Sequence, residues 1–137
     1  MPAVEQQDAE RLVSDFVKTV IDAGHLPDPP SGQQWKRGTV IEPGKTPRWF
    51  IQARMVGGTE EQRVAERPLV DVRVWADGTV ATEATRSKAA RVLLARIRQA
   101  FPCAVFAAPV PLPDPVDQSK THTLFTIQLL TRGSQIA

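Results

Sequence analysis

The sequence predicts an α+β fold: an antiparallel or mixed β-sheet of about four to five strands with two helices packed on one face. Three observations carry this. Residues 4 to 23 and 79 to 101 place apolar side chains at helical spacing. Residues 48 to 56, 69 to 76 and 122 to 132 alternate side chains with the period of a half-buried strand. At 137 residues the chain fits one domain, 1 to 137, whose elements run helix, strands, helix, strands.

The first helix is expected over 4 to 23, its stripe formed by Leu12, Val13, Phe16, Val17, Val20 and Ile21. Acids gather in its first turns, where they favour the positive end of the helix dipole. Gly24 is placed to end it in a left-handed turn, with Pro27 soon after. Pro27, Pro29 and Pro30 make the next stretch a loop, with Lys36 to Glu42 as a candidate short strand and Pro43-Gly44 as a turn.

Residues 48 to 56 form the first long strand. Trp49, Ile51, Ala53 and Met55 share the face expected in the core, and Phe50, Gln52, Arg54 and Val56 share the other. Gly57-Gly58 breaks this strand and opens a charged connection over 57 to 68 that is long for a hairpin. Pro68 starts the second long strand, where Val70, Val72 and Val74 point to the core and Leu69, Asp71, Arg73 and Trp75 point away. Asp77-Gly78 marks a turn.

The second helix carries Ala90, Leu93, Leu94, Ile97 and Phe101 as its stripe, with Lys88, Arg91, Arg96 and Arg98 on the other side. Thr79 or Thr82 is placed to cap it and Pro102 to stop it. A short strand is expected from Cys103 to Ala108. Prolines at 109, 111, 113 and 115 then exclude a central strand and leave an edge strand or an extended arm over 109 to 118. The last strand sets Phe125, Ile127 and Leu129 against Thr126, Gln128 and Thr131. The sheet face opposite the helices is thus expected to show Gln52, Arg54, Asp71, Arg73, Thr126 and Gln128, to water or to a neighbour.

Charge is uneven although the net is +2. Residues 1 to 31 hold six acids against two bases, and residues 84 to 113 hold five bases and no acid. Such polarity steers one copy towards another, or belongs to two solvated helix faces. A single cysteine, Cys103, rules out an internal disulfide and reads as a small residue packed at a strand start. No apolar run reaches the ~18 residues of a membrane span, and the first residues lack the pattern of a signal peptide, so no membrane partner and a cytoplasmic site of synthesis are expected.

No catalytic, cofactor or metal pattern emerges. His25, His122 and Cys103 lack metal-ligand spacing, and each histidine reads as a surface or capping residue. Gly57-Gly58 lacks the spacing and lysine of a phosphate loop. Glu60-Glu61 lies in a polar loop with no burial to separate two pKa values. The basic side of the second helix allows nucleic-acid contact, but no nucleic-acid-binding motif accompanies it.

The order of features resembles the tail terminator proteins of long-tailed, siphovirus-type phages, especially those of actinobacterial hosts. An acidic N-terminal helix leads to a Leu26-Pro27 turn. A strand runs into Gly57-Gly58 and a charged loop, followed by Pro68-Leu69-Val70-Asp71-Val72-Arg73-Val74-Trp75-Ala76. An alanine- and arginine-rich helix (Ala84-Thr85-Arg86-Ser87-Lys88-Ala89-Ala90-Arg91) and a final strand complete it. The resemblance spans residues 4 to 132, and the proline-marked segment 109 to 118 departs from the most compact members.

The resemblance implies a structural virion protein rather than an enzyme, with no cofactor. It implies a homo-oligomeric ring, a hexamer in the family, at the tail–neck junction, assembled in the host cytoplasm. Its partners would be other copies of itself, the tail tube protein whose polymerisation it ends, and a head-completion protein of the neck. Phage DNA would pass through the lumen without sequence-specific binding. Another neck completion protein is the alternative within this class, and a small nucleic-acid-binding module using helix 84 to 101 is the alternative outside it. On this reading the interface candidates are Arg54, Gly57, Gly58, Arg63, Glu66, Arg67, Asp71 and Arg73. Charge reversal at Arg63 and Arg67 together is expected to weaken assembly and leave the monomer folded.

Overall fold

The computed structural model describes residues 2–29, 32–40, 48–56, 68–76, 80–113 and 121–129, with side chains described from residue 9 of the first helix and residue 83 of the second. Two helices, α1 (Pro2–Asp22) and α2 (Val80–Ala100), lie on one face of a five-stranded mixed sheet. Its strands are β1 (Lys36–Gly38), β2 (Phe50–Val56), β3 (Leu69–Trp75), β4 (Cys103–Pro113) and β5 (Thr121–Leu129), in the order β1-β2-β3-β5-β4. Only the β1–β2 pair is parallel. This is the α+β architecture the sequence predicts.

The core lies between helices and sheet. Ile51 and Ala53 of β2, Val70, Val72 and Val74 of β3, and Phe125, Ile127 and Leu129 of β5 are all buried on one sheet face. Val13, Val17 and Val20 of α1 and Ala90, Leu93 and Ile97 of α2 cover them. Each fully buried aliphatic side chain contributes about 1.5–3 kcal/mol. Phe16 and Phe101 meet edge to face at 5.2 Å and join the two helices. Leu12 departs from expectation: it is 41% exposed, because α1 rests on the sheet along a narrower stripe than its apolar positions allow.

Gly24 ends α1 as its position demands, at φ +74°. The N–H of Gly24 donates to Ile21 O at 3.0 Å and that of His25 to Val20 O at 3.3 Å, so two of the helix's last carbonyls are satisfied. Trp49 is less expected. Its φ of 51° lies in the left-handed region, which a bulky residue rarely adopts. Packing holds it there: the indole is buried and meets Trp35 edge to face at 5.2 Å. Its carbonyl also accepts the Lys36 N–H at 2.8 Å.

One expected strand needs correction. The early strand is Lys36–Gly38 rather than 36 to 42, since Thr39 and Val40 leave the sheet; residues 41 to 47, including Pro43-Gly44, lie outside the described residues. The strand after α2 runs from Cys103 to Pro113, past the short strand expected to Ala108, so 109 to 113 takes the edge-strand alternative of the two expected there, and residues 114 to 118 lie outside the described residues. It does so because β4 is the sheet edge, as the prolines require. β4 pairs with β5 on one side only, so a proline there can lack its donor without breaking an interior ladder. Two β-bulges, between Val105 and Ala107 and between Ala107 and Val110, fit the long strand to β5. The last strand is described over Thr121–Leu129, and residues 130 to 132 of the expected 122 to 132 lie outside the described residues.

Candidate functional site

The outer sheet face is built by cross-strand register. Phe50, Trp75, His122 and Leu112 form one row across four strands. The next contains Gln52, Arg73, Leu124 and Val110, and a third contains Arg54, Asp71 and Thr126. These rows bring Arg54, Asp71 and Arg73 together. The other candidates, Gly57, Gly58, Arg63, Glu66 and Arg67, lie outside the described residues, as do the helix-capping threonines Thr79 and, for its side chain, Thr82.

Asp71 is the centre of the polar row. Thr126 Oγ1 donates to Asp71 Oδ1 at 2.6 Å, and Arg73 Nη2 lies 3.6 Å from Asp71 Oδ2. Arg54, directly opposite Asp71 on β2, is exposed. The face is less open than the alternation suggests. Gln52 and Thr126 are buried, and so are Trp75 and His122, whose rings stack at 4.7 Å. His122 is therefore no surface residue, because its place on β5 puts it beside Trp75. Gln52 keeps its amide satisfied by donating to Thr39 O at 3.1 Å.

Two charged side chains act within the fold in ways that periodicity does not disclose. Glu10 Oε2 accepts the backbone N–H of Met55 at 2.9 Å. β1 pairs with β2 only as far as Gly38 opposite Gln52, so Glu10 takes over for a strand that has ended. Arg86, on α2, is 1% exposed. Its Nε donates to Thr123 Oγ1 at 2.9 Å and its Nη1 to Thr121 O at 3.1 Å. Glu83 stands 4.0 Å from Nη2. Burial lowers the Arg86 pKa below the ordinary arginine value, and Glu83 opposes that shift.

An open cleft of about 440 Å³ lies between α1 and β1, lined by Glu10, Arg11, Ser14, Asp15, Arg37, Gly38 and Thr39. Arg37 crosses it, 3.4 Å from Ser14 Oγ and 3.8 Å from Asp15. A second groove of about 290 Å³ runs between the helix ends, where Arg96 meets His25 Nδ1 at 3.3 Å. Among the described residues no group of three or more His, Cys, Asp or Glu side chains is placed to hold a metal ion, and no helix is long and apolar enough to cross a membrane. Cys103 begins β4 half-buried against the core, as its sequence context suggests.

These contacts hold strands and helices in place. Among the described residues, Arg54 and the bases Lys88, Arg91 and Arg98 of α2 are exposed. No protein-family model, curated protein or solved structure matches the chain.

Proposed function

We propose that this chain is an assembly subunit, a tail terminator that forms a ring on the head-proximal end of a phage tail tube, stops its growth and joins it to the neck. The observation that carries the reading is the use the fold makes of its polar residues. Glu10, Arg86 and Asp71 are each engaged in holding elements together, while Arg54 and the helix bases Lys88, Arg91 and Arg98 stand exposed. A protein organised in this way works through its surface. The order of elements fits the resemblance in the sequence, and one face of a sheet covered by two helices leaves two distinct edges for neighbours. Closure of such unlike surfaces by rotation gives a ring. The same surface serves another neck completion protein, which would be found on the portal side instead.

The test is tube growth. Cognate tube protein polymerised with this chain present is expected to give tubes of limited length, and tubes that elongate as in its absence contradict the reading. A second reading rests on Lys88, Arg91 and Arg98, three exposed bases on one helix with no acid after Glu83. It makes the chain a nucleic-acid-binding module. Salt-dependent retention of duplex DNA by the isolated protein favours it, with affinity falling steeply as salt rises; no retention at low salt removes it.

A further inference from the structure

The two sides of the sheet end in different ways. On one side β4 carries Pro109, Pro111 and Pro113 and two bulges, the first of which holds Phe106. Such features spoil a strand as a template for another chain. On the other side β1 is only three residues long, Lys36–Gly38, and its register with β2 ends at Gly38 opposite Gln52. β2 runs on to Val56. Ala53 to Val56 therefore form a sheet edge past the end of β1, with no proline and with an unbroken register on β3.

The direction of the backbone groups on this edge follows from one bond. The Lys36 N–H donates to Trp49 O at 2.8 Å, so the polar groups of Trp49 face β1. Backbone groups alternate sides along a strand, so those of Ile51, Ala53 and Met55 face the same way. The Met55 N–H thus points out of the sheet beyond β1, where Glu10 Oε2 accepts it at 2.9 Å. The carboxylate sits where the carbonyl of an added strand would lie. The space beside it is open, since Glu10 and Gly38 both line the cleft of about 440 Å³ between α1 and β1.

We infer that Glu10 is an edge guard: its carboxylate occupies the Met55 N–H and keeps this end of β2 from pairing with a strand of a second copy. A regular strand end with a bare donor is a ready template for such pairing. β4 is protected by its own prolines and bulges, but β2 has neither here, and β1 is too short to cover it. The protection comes instead from a side chain of α1, which packs across β2. An incoming strand would have to displace the carboxylate or bury it unpaired, and both are unfavourable. Capping and guarding are separate properties: the first is read in the stability of one molecule, the second in the association of several. The guard acts whatever the chain assembles with.

Sedimentation of the full chain at matched concentrations tests it, with circular dichroism to show that each variant is folded. Glu10→Ala removes the guard and is expected to self-associate roughly tenfold or more tightly than the wild type, about the return of one backbone hydrogen bond. Glu10→Gln keeps an acceptor oxygen and is expected to behave like the wild type. Glu10→Ala with Met55→Pro lacks the donor as well and is expected to return to wild-type behaviour, because a proline on the free side of an edge breaks no ladder bond. Destabilisation alone would make this double variant associate more than Glu10→Ala, so the two together separate edge pairing from unfolding. Glu10→Asp, a methylene shorter, replaces Glu10→Ala if the latter is unfolded. Glu10→Ala associating like the wild type overturns the inference. So does Glu10→Gln associating like Glu10→Ala, or a double variant that associates as strongly as the single one.

Discussion

Glu10 on the first helix accepts the backbone N–H of Met55 on the second strand at 2.9 Å, across 45 residues of sequence. The contact closes β2 where β1 no longer pairs with it, and it fixes the position of α1 over the sheet. Glu10→Ala leaves a strand donor without that partner and is expected to lower stability by about 1–3 kcal/mol. Glu10→Gln, which keeps an acceptor oxygen, should lose less. Urea unfolding with an unchanged slope checks both, and an Ala variant as stable as the wild type removes the capping role.

Arg86 ties α2 to the start of β5 through Thr123 and Thr121. Arg86→Met fills the space but deprives the hydroxyl and the carbonyl of their donor, at a cost of about 2–4 kcal/mol. Arg86→Lys keeps the charge and loses the fork, so an intermediate stability is expected. Amide exchange along 121–129 should rise more in the Met variant than exchange in β2. Equal stability of all three proteins contradicts the assignment.

Asp71 and Arg54 face each other across β2 and β3, but the structure separates their roles. Asp71→Ala unpairs Thr126 Oγ1 and should destabilise the monomer by about 1–3 kcal/mol. Arg54 is exposed, so Arg54→Ala should leave unfolding within about 0.5 kcal/mol of wild type. Any defect of that variant is expected in assembly, read by sedimentation. A large loss of monomer stability in Arg54→Ala contradicts this division.

Burial raises the Cys103 thiol above its ordinary value of 9.0, while nearby Arg98 pulls the other way. The folded chain therefore binds this proton more tightly than the unfolded chain. The corresponding stability is fully present below the unfolded value and is lost as pH rises through about 9 towards the folded value. Labelling by a disulfide reagent at pH 8 should be slower in the native protein than in urea, and Cys103→Ala should flatten the alkaline loss of stability. Native labelling as fast as in urea contradicts it.

Much of the fold is legible in the sequence because it follows local periods. The valines of β3 and the alternation of β5 assign the core face directly, and Gly24 announces the left-handed turn that it makes. The departures have tertiary causes. Arg86 sits in a base-rich helix and looks solvated, but its burial depends on Thr121 and Thr123, more than 30 residues later in the chain. Glu10 looks like an acid serving the helix dipole until the early end of β1 leaves Met55 to be capped. Trp75 and His122 alternate onto the polar face, and their stacking needs the β3–β5 register, which neither strand states alone. The outer polar row was partly legible: Arg54, Asp71 and Arg73 do come together, while the bulge that exposes Phe106 leaves no local mark.

The central claim is that the chain caps one end of a tube. Negative-stain imaging of purified cognate tail tubes mixed with the protein tests it most directly. The account predicts rings confined to one end of each tube, with the opposite end bare. Tubes with two bare ends, or with the protein bound along their length, contradict it.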